Sequence, residues 1–107
     1  MRAEFYQKGV SIDYKNTSGA TIAANTIVAL GTTRCGVAGT DIPNNSVGAV
    51  FVEGVWIVPS TGTIALGAVV YYDASTGKAT ATATSNVPLG WAVAAAENDT
   101  VKIKLLG

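Results

Sequence analysis

The chain has 107 residues, with seven Lys or Arg against seven Asp or Glu, no histidine and a formal net charge of zero. Charged side chains make up 13% of it, against about 25% in an ordinary soluble domain. The basic residues are scattered singly among acids, which excludes the clustered Lys and Arg that a nucleic-acid backbone or an anionic membrane requires. No apolar run approaches the roughly 18 residues of a transmembrane helix.

A single domain spanning residues 1–107 is expected from the length. A folded monomer of this size should expose about 5,600 Å², so fourteen charges leave one per roughly 400 Å². Near-zero net charge favours association. Much of the surface is therefore expected to lie against something else.

In chain order, the segment 1–8 carries Arg2, Phe5, Tyr6 and Gln7 ahead of the first regular pattern. It lacks the apolar stretch of a secretory signal, so a reducing cytosol is expected. The lone Cys35 has no partner for an internal disulfide. Val10, Ile12 and Tyr14 then alternate with Ser11, Asp13 and Lys15, the period of a half-buried strand. From Val47 to Val58 the pattern changes: Val50, Val52, Trp56 and Val58 share one face, and Phe51, Val55 and Ile57 the other. A strand apolar on both faces is either central in a small barrel or placed at a subunit contact.

Val69 to Lys78, followed by Ala79 to Thr84, reads as a hairpin, with Asp73 bonding the turn and Gly77 supplying a positive φ. Its small and polar return strand predicts a projecting or edge position. Ala92 to Ala96 allow at most a short helical turn. Val101, Ile103 and Leu105 alternate with Thr100, Lys102 and Lys104 as a final half-buried strand.

The chain also repeats. Thr21–Val28 matches Thr63–Val70 at an offset of 42, with Asn25 aligned to Gly67. Gly36-Val37-Ala38 and Ser46-Val47 match Gly90-Trp91-Ala92 and Thr100-Val101 at an offset of 54. Thirteen Val, seven Ile, thirteen Thr and twelve Gly favour strands and tight turns. The expected fold is all-β: a small barrel or sandwich of two related halves, the second enlarged by the hairpin, with a tulip-like form among the options.

Catalytic chemistry finds little support. Without histidine, neither a Ser-His-Asp nor a Cys-His arrangement can form within one chain. Cys35 beside Arg34 lacks a base and reads as a small core residue. The carboxylates Asp13, Asp41, Glu53, Asp73, Glu97 and Asp99 could in principle form a glycosidase pair, but Asp41, Asp73 and Asp99 adjoin turn residues. The only Gly-Lys, Gly77-Lys78, precedes Ala79 and has Tyr72 where a phosphate loop needs Gly. No cofactor or metal is expected.

Phe5-Tyr6-Gln7-Lys8-Gly9, Ile12-Asp13-Tyr14, Ser18-Gly19-Ala20 and Gly36-Val37-Ala38 open a pattern. It continues in Val52-Glu53-Gly54-Val55-Trp56 with Pro59, Gly67 to Asp73, Gly90-Trp91-Ala92-Val93 and Val101 to Leu105. Taken in order, these resemble the small capsid cement proteins of tailed bacteriophages, a family also labelled a RecA/RadA-like phage recombinase. The recombinase label lacks its phosphate loop here. Ser60 after Pro59, and Asn25 in place of Gly, depart from the family's usual pattern.

The resemblance implies a non-enzymatic virion protein, made in the host cytoplasm. It would bind the outer surface of the expanded head as a homotrimer and clamp neighbouring major capsid subunits. Arg2, Phe5, Tyr6, Gln7, Phe51, Val55, Ile57 and Tyr72 are the expected interface residues. Segment 1–8 is expected either as an arm on a capsid subunit or as a strand of its own fold. If it is the arm, deleting it should abolish capsid binding and leave a folded trimer. The alternative is a β-barrel module displaying the hairpin for carbohydrate or host-surface attachment.

Overall fold

A computed structural model of the chain describes residues 2–5, 7 and 9–106. These form nine strands: β1 (Ser11–Lys15), β2 (Ile27–Leu30), β3 (Arg34–Ala38), β4 (Val47–Phe51), β5 (Val55–Pro59), β6 (Val69–Asp73), β7 (Lys78–Thr80), β8 (Val87–Ala92) and β9 (Thr100–Leu105). No helix occurs among the described residues. One antiparallel sheet runs β1-β4-β3-β2 and the other β5-β9-β8-β6-β7. Neither closes into a barrel. The larger sheet curls until Ser60, just after β5, makes a parallel bridge with Ala79 of β7.

The repeat in the sequence is a repeat of topology. Strands β1, β2, β3 and β4 correspond to β5, β6, β8 and β9, in the same spatial order. The turn hydrogen bonds repeat as well. Asn25 N–H donates to the Ala38 carbonyl at 2.7 Å, and Gly67 N–H to that of Ala92 at 2.8 Å. Ala38 N–H donates to Thr26 and Ala92 N–H to Ala68, both at 2.9 Å. Asn25 and Gly67 each take the left-handed conformation, at φ 67° and 82°. Only that backbone lets the turn reach back to the following strand, which is why Asn can stand where Gly is usual.

The register refines one alignment. Val47 pairs with Lys15, and Thr100 with Pro59. The last strands therefore correspond at an offset of 53, one short of the 54 at which their residues look most alike. The difference arises between β3 and β4, where the sequence likeness rests on small residues that tolerate a slip.

Two corrections concern long runs. Val47 to Val58 is not one strand, because Glu53 and Gly54, the latter at φ 110°, turn the chain from β4 into β5 of the other sheet. Each of its apolar faces is therefore divided between the two sheets, Val50 and Phe51 in the first and Val55 to Val58 in the second. Phe51 and Trp56 close that turn with ring centroids 5.6 Å apart. The hairpin forms with Gly77 at φ 71°, but its return strand is only β7. It lies at the sheet edge with Ala79 fully buried. The edge position is as expected.

The main core lies between the sheets and within the second half. Cys35 and Val37 of β3 meet Val70, Leu89, Ile103 and Leu105. A shift in β6–β8 pairing, from Val70/Gly90 to Tyr71/Pro88, makes Leu89 the extra residue of a bulge. The bulge turns Leu89 into the core. A second, thinner cluster of Val28, Ala38, Ile42 and Val50 sits on the opposite face of the first sheet. The chain exposes 6646 Å², more than the approximately 5,600 Å² of a compact monomer of its mass.

Candidate functional site

The carboxylates expected at turns are found there. Asp41 Oδ1 accepts the Ala24 N–H at 2.8 Å. Asp73 Oδ1 accepts the Ser75 N–H at 2.9 Å and its hydroxyl at 2.6 Å. The Ser75 hydroxyl, then its N–H, hold the Asp73 carboxyl below its usual range. An open concavity of about 400 Å³ beside this turn is lined by Asp73, Ser75, Thr80, Thr82, Thr84 and Asn86 among others. It presents hydroxyls and one carboxylate. No cluster of three or more His, Cys, Asp or Glu able to hold a metal occurs among the described residues.

Cys35 is a core residue. Burial pushes its thiol up to about 11 from 9.0, the reverse of an activated nucleophile. Tyr72 is raised too, first by burial and then by Cys35 and Asp73. A thiol whose folded pKa exceeds its unfolded one favours the folded state below pH 9 and loses that contribution as pH rises towards 11. Melting temperature should therefore fall over that interval, and fall less in Cys35→Ala. An equal fall in both proteins would remove Cys35 as the cause.

The outer face of the five-stranded sheet has a different character. In the strand register, Val55 stands opposite Lys104, Lys104 opposite Trp91, and Trp91 opposite Val69. Period-two geometry places all four side chains on the side away from the core. Ile57 and Lys102 form the adjacent row. Val55 is 58% exposed, Ile57 68%, Val69 52% and Trp91 41%. Ile57 and Lys102 also border an open hollow of about 290 Å³ with Ala94, Ala95, Glu97 and Thr100. The face is a strip of apolar side chains from β5, β8 and β6, joined across β9 by Lys102 and Lys104, whose cross-strand neighbours are apolar.

Of the residues expected at an interface, Val55 and Ile57 lie together on this strip. Phe51 is half-buried against Trp56, and Tyr72 packs on the core. Neither belongs to the strip. Arg2, Phe5 and Gln7 are exposed, outside both sheets, and Gln7 Nε2 donates to the Ser11 carbonyl at 3.1 Å. Tyr6 lies outside the described residues. Trp91, Val69, Lys102 and Lys104 were not anticipated as an interface. The outward phase of Lys102 and Lys104 was legible in the alternation of the last strand, but Trp91 is a large apolar residue facing out between the small buried residues Gly90 and Ala92, the reverse of the usual polarity pattern.

The fold and this face define an all-β protein whose distinctive surface is suited to another macromolecule rather than to a small substrate. Comparison with known families agrees. The chain belongs to the phage cement protein family, whose model matches residues 6–106. Membership carries a structural, capsid-associated role in the virion. No curated protein and no solved structure matched the chain in the same comparisons.

Proposed function

We propose that the chain binds the outer surface of the expanded phage head as a homotrimer and clamps neighbouring major capsid subunits. The observation that carries this reading is the apolar strip of Val55, Ile57, Val69 and Trp91, exposed on a β-sheet that is otherwise well packed. Large apolar side chains gathered on one face mark a surface that another protein covers. Burying what each still exposes would contribute about 1 kcal/mol or more.

Lys102 and Lys104 give the strip its selectivity. Among apolar neighbours their stems cover surface while the ammonium groups reach outward. They suit a capsid patch of apolar residues rimmed by carboxylates. Because such contacts recur across the shell, each can be modest while the lattice gains through multivalency. The near absence of net charge also fits, since long-range repulsion between crowded copies is small.

Mixing purified protein with undecorated expanded heads and with unexpanded procapsids tests the proposal. Binding to expanded heads alone is expected. Binding to neither particle would contradict it, and binding to cells or glycans instead would favour an attachment role.

A further inference from the structure

The two halves share a topology, but only the second is complete. There, β7 pairs with β6 and bridges towards the end of β5, and Ala79 sits fully buried in the gap. In the first half, β2 corresponds to β6, and its outer edge carries no strand among the described residues. Beside Leu30, the residue that corresponds to Tyr72, an open pocket of about 230 Å³ is lined by Ile12, Leu30, Arg34, Cys35 and Val52. Ile12 and Leu30 are only partly buried there.

We propose that the N-terminal segment of a second copy of this chain adds to the β2 edge and fills this pocket, as β7 completes the second half. Three observations point to that occupant. Residues 2–5 belong to neither sheet, and Phe5 is 83% exposed. Arg2-Ala3-Glu4 reproduces the basic, alanine, polar order of Lys78-Ala79-Thr80. With Ala3 opposite Leu30, as Ala79 is opposite Tyr72, strand alternation aims both Ala3 and Phe5 at the apolar face that holds Val28.

The seat belongs to a neighbour's segment rather than to the chain's own. Phe5 lies just within reach of its own β2 edge: the link from Phe5 to Ser11 spans up to roughly 20 Å, and a strand added outside β2 would lie about 19 Å from β1. The isolated chain nevertheless leaves Phe5 exposed. An arm on one copy that fills an edge on the next is a head-to-tail contact, which forms a ring where its rotation closes. The inference assigns segment 1–8 to a sister copy in place of a capsid subunit. It goes beyond the capsid reading and is independent of it.

The backbone supplies the test. Ala38 N–H bonds to Thr26, and antiparallel alternation then turns the Ala29 N–H away from β3 towards the open edge. Proline is tolerated at such an edge but cannot donate. Ala29→Pro should therefore keep its circular dichroism and weaken self-association at least about tenfold, the loss of roughly one interchain hydrogen bond. Ala3→Cys with Leu30→Cys, in a Cys35→Ala background, should oxidise to oligomers stable in detergent without reductant. Pairing Ala3→Cys with Lys15→Cys should not. A monomeric wild type, unchanged association in Ala29→Pro, or disulfides formed only within single chains would overturn the proposal. Because purified protein suffices, these outcomes are separate from any failure to bind heads.

Discussion

Asn16→Asp is expected to abolish the folded state at neutral pH. Asn16 is fully buried just after β1. Its Nδ2 donates to the carbonyls of Ala20 at 2.6 Å and Ile42 at 2.7 Å. Its Oδ1 accepts the Ser18 N–H at 2.9 Å and the Ser18 hydroxyl at 2.7 Å. The backbone adds two more bonds, to Ser46 at 2.9 Å and from Asn45 at 2.6 Å. One amide thus ties the end of β1, the following loop and the Ile22–Ile42 bridge into a single knot. A carboxylate would set a negative oxygen against two carbonyls and lose both donors.

Each buried group left unpaired costs about 1–3 kcal/mol, and more where charge is involved. That is comparable with the whole stability of about 5–15 kcal/mol of a small domain. Asn16→Ala should cost about 2–3 kcal/mol, since it removes four side-chain hydrogen bonds and leaves the Ser18 N–H without a partner, while the Ile42 and Ala20 carbonyls keep the Ile22 N–H and the Ser18 hydroxyl. The Asp variant should regain structure on acidification, because its buried carboxyl has a raised folded pKa and the protonated form supplies one donor. Thermal melts of both variants between pH 4 and 8 check this. An Asp variant as stable as the wild type at pH 7 would contradict the account of the knot.

Gly90→Ala should be nearly as damaging. A Cβ on Gly90 would run into the Lys104 carbonyl and approach the Leu105 Cα at 3.2 Å. Those are backbone atoms of β9, which cannot move without breaking β8–β9 pairing. The corresponding residue of the first half behaves alike, since a Cβ on Gly36 would strike the Val50 side chain and lie 2.8 Å from the Phe51 carbonyl. Overpacking of this kind costs about 1–3 kcal/mol where side chains yield, and more where only backbone can. Taking about 3 kcal/mol, melting temperature should fall by more than roughly 10 °C for either variant. Gly62→Ala is the control: it has a positive φ of 73° but nothing within 4 Å, so only about 1 kcal/mol is expected. Equal losses in all three would contradict close approach as the reason for glycine at 36 and 90.

The sequence carried the halves because turns repeat more faithfully than strands. Asn25 and Gly67 must both adopt the left-handed backbone, and few residues do so cheaply, so the match survived in composition. The final strand was legible for a related reason: Val101, Ile103 and Leu105 are buried while Lys102 and Lys104 are exposed, and one wet face leaves a clean alternation. The break at Glu53-Gly54 was hidden because apolar residues flank it on both sides, one set facing each sheet. Leu89 was equally silent, since a bulge reverses the phase without changing residue type. The apolar strip needed the register itself, as Val55, Trp91 and Val69 come from three strands and meet only across β9. Val55 and Ile57 were named because their run looked apolar on both faces, yet their partners on the strip were set by pairing that no local pattern encodes.

The most direct test of the capsid role is the heat-disruption temperature of expanded heads decorated with wild type or with Ile57→Glu/Trp91→Ser. Both substitutions lie on the outer face and leave the core untouched, so the variant's own melting temperature should stay within about 8 °C of wild type. Wild type should raise the disruption temperature of the heads, and the variant should leave it at that of bare heads. A variant that protects heads as well as the wild type would contradict the assignment of this face to the capsid.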